Sequence, residues 1–166
     1  MEAKPVLISV ARALRENRLE AVMIGNAAAA LQGAPVTTLD VDFLFRKTPQ
    51  NLRKLKAVAR ALDAVILRPY YPVSGLFRLV RETDGLQLDF MTSIHGIRSY
   101  NSVRGRATPV SLDSEQILVA SLSDIIASKR AADRPRDRAV IDVLTKTLKE
   151  TGQKPEKKSG STETRE

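Results

Sequence analysis

The chain has 166 residues, 43% of them hydrophobic and 28% charged, with a formal net charge of +8, one histidine and no cysteine. That length can bury a single core, so one domain is expected, and the lack of cysteine excludes both a disulfide framework and thiolate metal ligation, leaving oxygen ligands and hence magnesium or manganese for any bound ion. No apolar run approaches a membrane span, and the N-terminus lacks the basic start, apolar centre and small-residue cleavage site of a signal peptide, so a cytoplasmic protein without membrane contact is expected.

In chain order, Leu7, Val10 and Leu14 fall at helical spacing within Pro5 to Leu19, away from Arg12, Arg15, Glu16 and Arg18, which predicts an amphipathic first helix packed on a sheet. Ala21 to Ile24 predicts a strand that ends at Gly25. Asn26 to Leu31 is alanine-rich and predicts a short helix directly after the glycine; Gly33 can take a left-handed cap and Pro35 cannot continue the helix. Leu39 to Phe45 predicts a second strand. Thr48 and Pro49 then supply an N-cap and a first-turn proline for a helix whose buried stripe is Leu52, Leu55, Ala59 and Leu62.

A short third strand is expected over Ala64 to Leu67, followed by a rigid loop from Arg68 to Pro72. Leu76 to Arg81 and Leu86 to Met91 flank Asp84-Gly85, a strong hairpin signal. Ser93 to Asn101 fits either a helix or an irregular excursion. Arg106 to Leu112 and Glu115 to Ala120 predict another hairpin around Asp113-Ser114. Ser121 caps a helix from Leu122 to about Ala132, and Arg134-Pro135 opens a last helix reaching about Lys149. The chain then becomes polar, which predicts a folded domain over 1–150 and a disordered tail over 151–166.

The chemistry concentrates on two strands. Side chains alternate along a strand, so Val41, Phe43 and Phe45 point one way while Asp40 and Asp42 point the other. Leu86-Gln87-Leu88-Asp89-Phe90 repeats the pattern, with Asp89 on the polar face. Should the two strands lie close in one sheet, three carboxylates share a patch, which is costly without a cation; divalent ions bridged by carboxylates and triphosphate oxygens are the usual remedy in phosphoryl chemistry. Gly25, at a strand-to-helix turn, lets a phosphate approach the backbone and the unpaired N–H groups of the new helix. The competing reading makes all three aspartates solvent-facing residues of half-exposed strands. Aspartate is unfavourable in strands, and two on one strand, close to the glycine turn and with a third carboxylate downstream, argue for a metal-bound nucleotide.

Val22-Met23-Ile24-Gly25-Asn26, followed by Asp40-Val41-Asp42 and the downstream Asp89, resembles the signature of the DNA polymerase beta nucleotidyltransferase superfamily. The segment from Ser121 through Lys129-Arg130-Ala131-Ala132-Asp133-Arg134-Pro135-Arg136-Asp137 resembles the C-terminal region of small bacterial members of the abortive-infection and toxin-antitoxin type, so the likeness spans roughly residues 1–150. Two departures stand out: Asn26 occupies a position where the signature has Gly or Ser, and Val36 one where related members often carry arginine.

The resemblance implies an α/β (α+β) nucleotidyltransferase fold, a twisted mixed sheet with helices mainly on one face and a C-terminal helical pair. It further implies an enzyme that transfers NMP from an NTP such as ATP to an acceptor hydroxyl on RNA, tRNA for example, or on protein, as the toxin of a toxin-antitoxin or phage-defence system with a cognate antitoxin. Asp40, Asp42 and Asp89 would be the catalytic metal ligands for Mg2+ or Mn2+, and Gly25, Asn26, Lys129 and Arg134 would bind the nucleotide. Lys129 shares a helix face with Leu122, Ile125 and Ile126, so it either snorkels to the rim or reaches the triphosphate.

Capping is the ordinary reading of Asp137, and surface solvation that of Arg46 and Arg68. His95, with no ligand-like neighbours in sequence, reads as structural or exposed, while Tyr70 and Tyr71 fit base stacking and core packing equally well. No Walker-type P-loop or nucleophile elbow occurs. The basic body suits a polyanionic partner. A catalytically silent relative that binds RNA or a partner protein through that surface is therefore the alternative to an enzyme.

Overall fold

The computed structural model describes residues 3–36, 40–67, 75–97 and 99–152. Its elements run α1 (Ala3–Glu16), β1 (Val22–Ile24), α2 (Gly25–Leu31), β2 (Val41–Leu44), α3 (Pro49–Ala61), β3 (Val65–Leu67), β4 (Leu76–Arg81), β5 (Leu86–Met91), α4 (Tyr100–Arg106), β6 (Thr108–Leu112), β7 (Glu115–Val119), α5 (Leu122–Ala132) and α6 (Pro135–Glu150). The strands form one seven-stranded sheet in the order β3-β4-β5-β2-β1-β7-β6. It is mixed: β2 pairs with β5 and β1 with β7 in parallel, and the other neighbours are antiparallel.

Two adjacent rows across this sheet explain both its stability and its chemistry. Val119, Met23, Phe43, Phe90 and Phe77 are successive register partners on five strands, and all are buried. Phe43 stacks on Phe90 with centroids 5.0 Å apart, and Phe45 meets both Phe90 and Phe77 edge-on at 5.9 Å. Such aromatic pairs add to ordinary apolar burial. The next row holds Ile24, Asp42, Asp89 and Arg78, again mutual partners and, by the pleat, on the opposite face. A greasy row on one side of the sheet thus fixes a charged row on the other.

Local signals account for most boundaries. Thr48 accepts a hydrogen bond from the Asn51 backbone N–H, and Ser121 from that of Asp124, so α3 and α5 start where the sequence predicts. The β4–β5 turn is held by Asp84, whose carboxylate accepts from Arg81 Nε and Nη2 at 2.9 and 2.7 Å and from the Leu86 N–H at 3.2 Å. These bonds outweigh desolvation and hold Asp84 down at about 2; Arg81 is first among its causes. α5 and α6 form the expected C-terminal helical pair, α1 packs against α3, and α2 bridges β1, β2 and α5.

One stretch differs. Between Ser93 and Asn101 the chain makes a tight turn bridged at Ile94 and Ile97, and then enters α4, where Arg106 belongs to a helix rather than to the following strand. Ser99 caps α4 by accepting from the Ser102 N–H, and Tyr100 and Val103, one turn apart, are its buried residues. Among the described residues no helix is long and apolar enough to cross a membrane. The expectations for Leu39, for the loop carrying Arg68, Tyr70 and Tyr71, and for the tail beyond Gly152 concern residues outside those described.

Candidate active site

A cavity of about 520 Å³ opens over the charged row, between the sheet and the α5–α6 pair. Gly25, Asn26, Asp40, Asp42, Asp89, Lys129 and Arg134 all line it, so the seven residues singled out from sequence lie around one space. Asp42 and Asp89 are partners on parallel strands, which puts their Cα atoms about 4.8 Å apart. Burial pushes the half-buried Asp42 carboxyl up to about 6, with repulsion from Asp89 and then Asp40 adding to it and Arg78 and Lys129 pulling the other way.

Gly25 is needed for its backbone: its φ of +69° is a conformation that L side chains rarely adopt, whereas a Cβ there would meet only Asp42 Oδ2, at an ordinary contact distance of 3.4 Å. No side chain caps α2, because Ile24 precedes it. Asn26 follows with its side-chain oxygen buried and without a hydrogen-bond donor among the described residues, an unsatisfied acceptor of the kind that marks a place for a ligand, ion or water.

The far wall is cationic. Lys129, with only 11% of its side chain exposed, lies 3.7 Å from Asp137 Oδ1, and Asp137 also accepts from Arg134 Nε at 2.6 Å and Nη2 at 3.2 Å. Desolvation lowers the Lys129 pKa, only partly offset by Asp137. For Asp137, burial alone would raise the pKa, but the hydrogen bond and charge of Arg134, with Lys129 behind it, hold it below the usual range. Asp137 does cap α6, accepting weakly from the Arg134 N–H at 3.3 Å, yet the same carboxylate orders the two cations facing the cavity.

Sequence reasoning missed Arg78, which donates from Nε to Asp89 Oδ1 at 2.9 Å and from Nη2 to Oδ2 at 3.2 Å. The signal was available. Once Asp84-Gly85 sets the hairpin, Arg81 faces Leu86, and counting back three and forward three places Arg78 opposite Asp89. Gln87, Ser128, Arg136 and the exposed His95 also line the cavity.

His95 is positioned by its neighbour. At Gly96, φ is +74° and a Cβ would meet Ala131 Cβ at 2.6 Å and the Ala127 carbonyl oxygen at 3.2 Å, so the turn is wedged against α5. Gly96→Ala should therefore cost about 2–4 kcal/mol, seen as a lower thermal midpoint, and adding Ala131→Gly should recover part of that loss by removing the closest clash.

An oxygen-rich pocket suits a hard divalent cation, and Asp40 and Asp42 supply suitable donors. Among the described residues no group of three acidic or histidine side chains is placed to hold a metal ion.

A glycine turn, an Asp-x-Asp pair with Asp40 just before β2 and Asp42 on it, and a third aspartate on the parallel neighbour make this the architecture of a nucleotidyltransferase. The chain belongs to the family described as nucleotidyl transferase of unknown function (DUF2204), whose profile matches residues 3–162. No curated protein matches it in sequence.

Among solved structures it resembles LnuA, a lincosamide antibiotic adenylyltransferase in its lincomycin-bound form, at 13% identity with a TM-score of 0.62 over 89% of this chain and 98% of that one. It also resembles the antibiotic-resistance factor ANT(2'')-Ia (14% identity, 89% and 83% covered, TM-score 0.61) and TM1012 of Thermotoga maritima, a putative nucleotidyltransferase (19%, 88% and 92%, TM-score 0.56). At these identities the likeness concerns the fold.

Proposed function

We propose that the protein transfers a nucleoside monophosphate from an NTP to an acceptor hydroxyl, releasing pyrophosphate. The observation that carries this reading is the convergence of Gly25, Asp42 and Asp89 from separate strands and turns, facing Lys129 and Arg134, on one cavity. Asp40 and Asp42 would hold Mg2+ or Mn2+, which when bound neutralises the triphosphate and lowers the acceptor's pKa. Gly25 leaves room for phosphate oxygens to approach the start of α2, and Lys129 with Arg134 supplies positive charge from the opposite wall, so the triphosphate is gripped from two sides and held for in-line attack.

The acceptor is a hydroxyl on RNA or protein in this reading, with a toxin or phage-defence role in the cytoplasm and an antitoxin partner following from the sequence resemblance. A second reading draws on the antibiotic adenylyltransferases of like fold, one of them in complex with adenylyl-2"-tobramycin: a small hydroxylated molecule as acceptor.

Pyrophosphate release should be measured with each NTP and Mg2+ against RNA, protein and small hydroxylated acceptors, with Asp42→Ala as control. Release that depends on Asp42 supports transfer. Equal signals from wild type and variant, with RNA binding retained in both, would instead favour a binding module.

A further inference from the structure

Arg78 and Asp89 form an ion pair on the wall of the cavity. Both oxygens of Asp89 are engaged in parallel by the guanidinium, at 2.9 and 3.2 Å, and the Asp89 side chain is only 10% exposed. Arg78 lies in the same cross-sheet row as Asp42 and Asp89, and β4 and β5 are paired along their whole length, so the hairpin register sets the Arg78 side chain, itself 42% exposed, directly beside Asp89. Bidentate arginine–carboxylate pairs of this kind are strong and geometrically fixed.

A divalent ion approaching Asp89 would have to take an oxygen already donated to, and would stand within a few ångströms of a positive charge that does not titrate in the accessible pH range. No such cation faces Asp42 at hydrogen-bond distance among the described residues, and Asp42 lies on the side of Asp89 away from Arg78.

The geometry points to Arg78 as a built-in counter-cation that withdraws Asp89 from metal ligation, so that this chain carries a single divalent-ion site at Asp40 and Asp42. Arg78 is a positioning residue here: it acts by fixing Asp89 and by supplying, permanently, positive charge beside the triphosphate site. This rests on the nucleotidyl-transfer reading above, because the ion and the triphosphate belong to it.

The test is a titration of the full chain with Mn2+ alone, followed by the loss of the free-ion paramagnetic resonance signal. One tight Mn2+ per chain is expected for wild type and for Asp89→Asn, and two for Arg78→Met, whose side chain leaves Asp89 open. The double variant Arg78→Met/Asp89→Asn should return to one. Two ions in wild type, a lost ion in Asp89→Asn, or a count that stays at one in a folded Arg78→Met would each overturn the assignment while leaving nucleotidyl transfer standing. No bound Mn2+ in wild type, or the same count in Asp42→Asn, would remove the metal site itself and the proposed function with it. If Arg78→Met fails to fold, the wild-type and Asp89→Asn counts still decide the question.

Discussion

Asp42→Asn is expected to yield a protein that is more stable and nearly inactive. The Asp42 carboxyl titrates at about 6 in the fold against 3.8 ordinarily, first because of burial and then because Asp89 and Asp40 repel its charge. Between those two pH values the folded state keeps a proton that the unfolded chain has released, so stability falls as pH rises through this window and is lowest above it. The rise from 3.8 to about 6 corresponds to roughly 3 kcal/mol, and screening by solvent at the open side of the cavity reduces the expected gain from the neutral amide to about 1–2 kcal/mol.

Thermal unfolding of the metal-free protein at pH 5, 6 and 7.5 measures this: the variant should lead most at pH 7.5, and the wild-type decline across the series should be absent from it. Pyrophosphate release should drop by about a thousandfold or more, since a positioned divalent ion is worth several kcal/mol of transition-state stabilisation. Stability gained where activity is lost is the mark of a charge kept for a ligand rather than for the fold.

The same physics explains which parts of the molecule could be read from the chain. Strands β4 and β5 are legible to the residue because Asp84-Gly85 sets both the turn and the register, and α3, α5 and α6 because Thr48, Ser121 and Arg134-Pro135 mark their starts. The aromatic row could be read only as an alternation; that Phe43 would lie against Phe90 depended on β2 pairing in parallel with β5, a contact 47 residues apart in sequence that no local pattern encodes. α4 is obscured because seven residues containing Gly105 carry little helical signal, and what holds the element is external: Tyr100 donating to Glu20 at 2.9 Å and Arg106 paired with Asp124. In the cavity, the carboxylates stood out because aspartate is rare in strands, whereas Arg78 passed for an ordinary strand residue until the hairpin register placed it opposite Asp89. Types that conflict with their element are visible in sequence; partners are visible only once topology is known.

Asp137 and Lys129 should respond to mutation in opposite proportions. Asp137 is 2% exposed and is approached by Arg134 at 2.6 Å and Lys129 at 3.7 Å, so removing it strands a nearly buried ammonium beside a guanidinium. Asp137→Ala is therefore expected to cost about 3–5 kcal/mol, the range for breaking a buried pair from one side. Because its pKa is depressed in the fold, the stability it contributes is present at neutral pH and lost as pH falls through the lowered value, so the gap between wild type and variant should narrow in acid.

Lys129→Met behaves differently: Asp137 keeps both bonds from Arg134, and the desolvation that lowers the lysine's pKa is relieved, so the unfolding free energy should change by no more than about 1 kcal/mol. On the proposed function its cost should fall on the chemistry, as about a 10- to 100-fold drop in kcat/KM for the NTP, read in the pyrophosphate assay, because that reading sets Lys129 against the triphosphate. If instead Lys129→Met unfolded early while turnover per folded molecule stayed normal, the lysine would be a structural partner of Asp137 and the cationic wall would reduce to Arg134. The pair thus separates what holds α6 against α5 from what that packing is for.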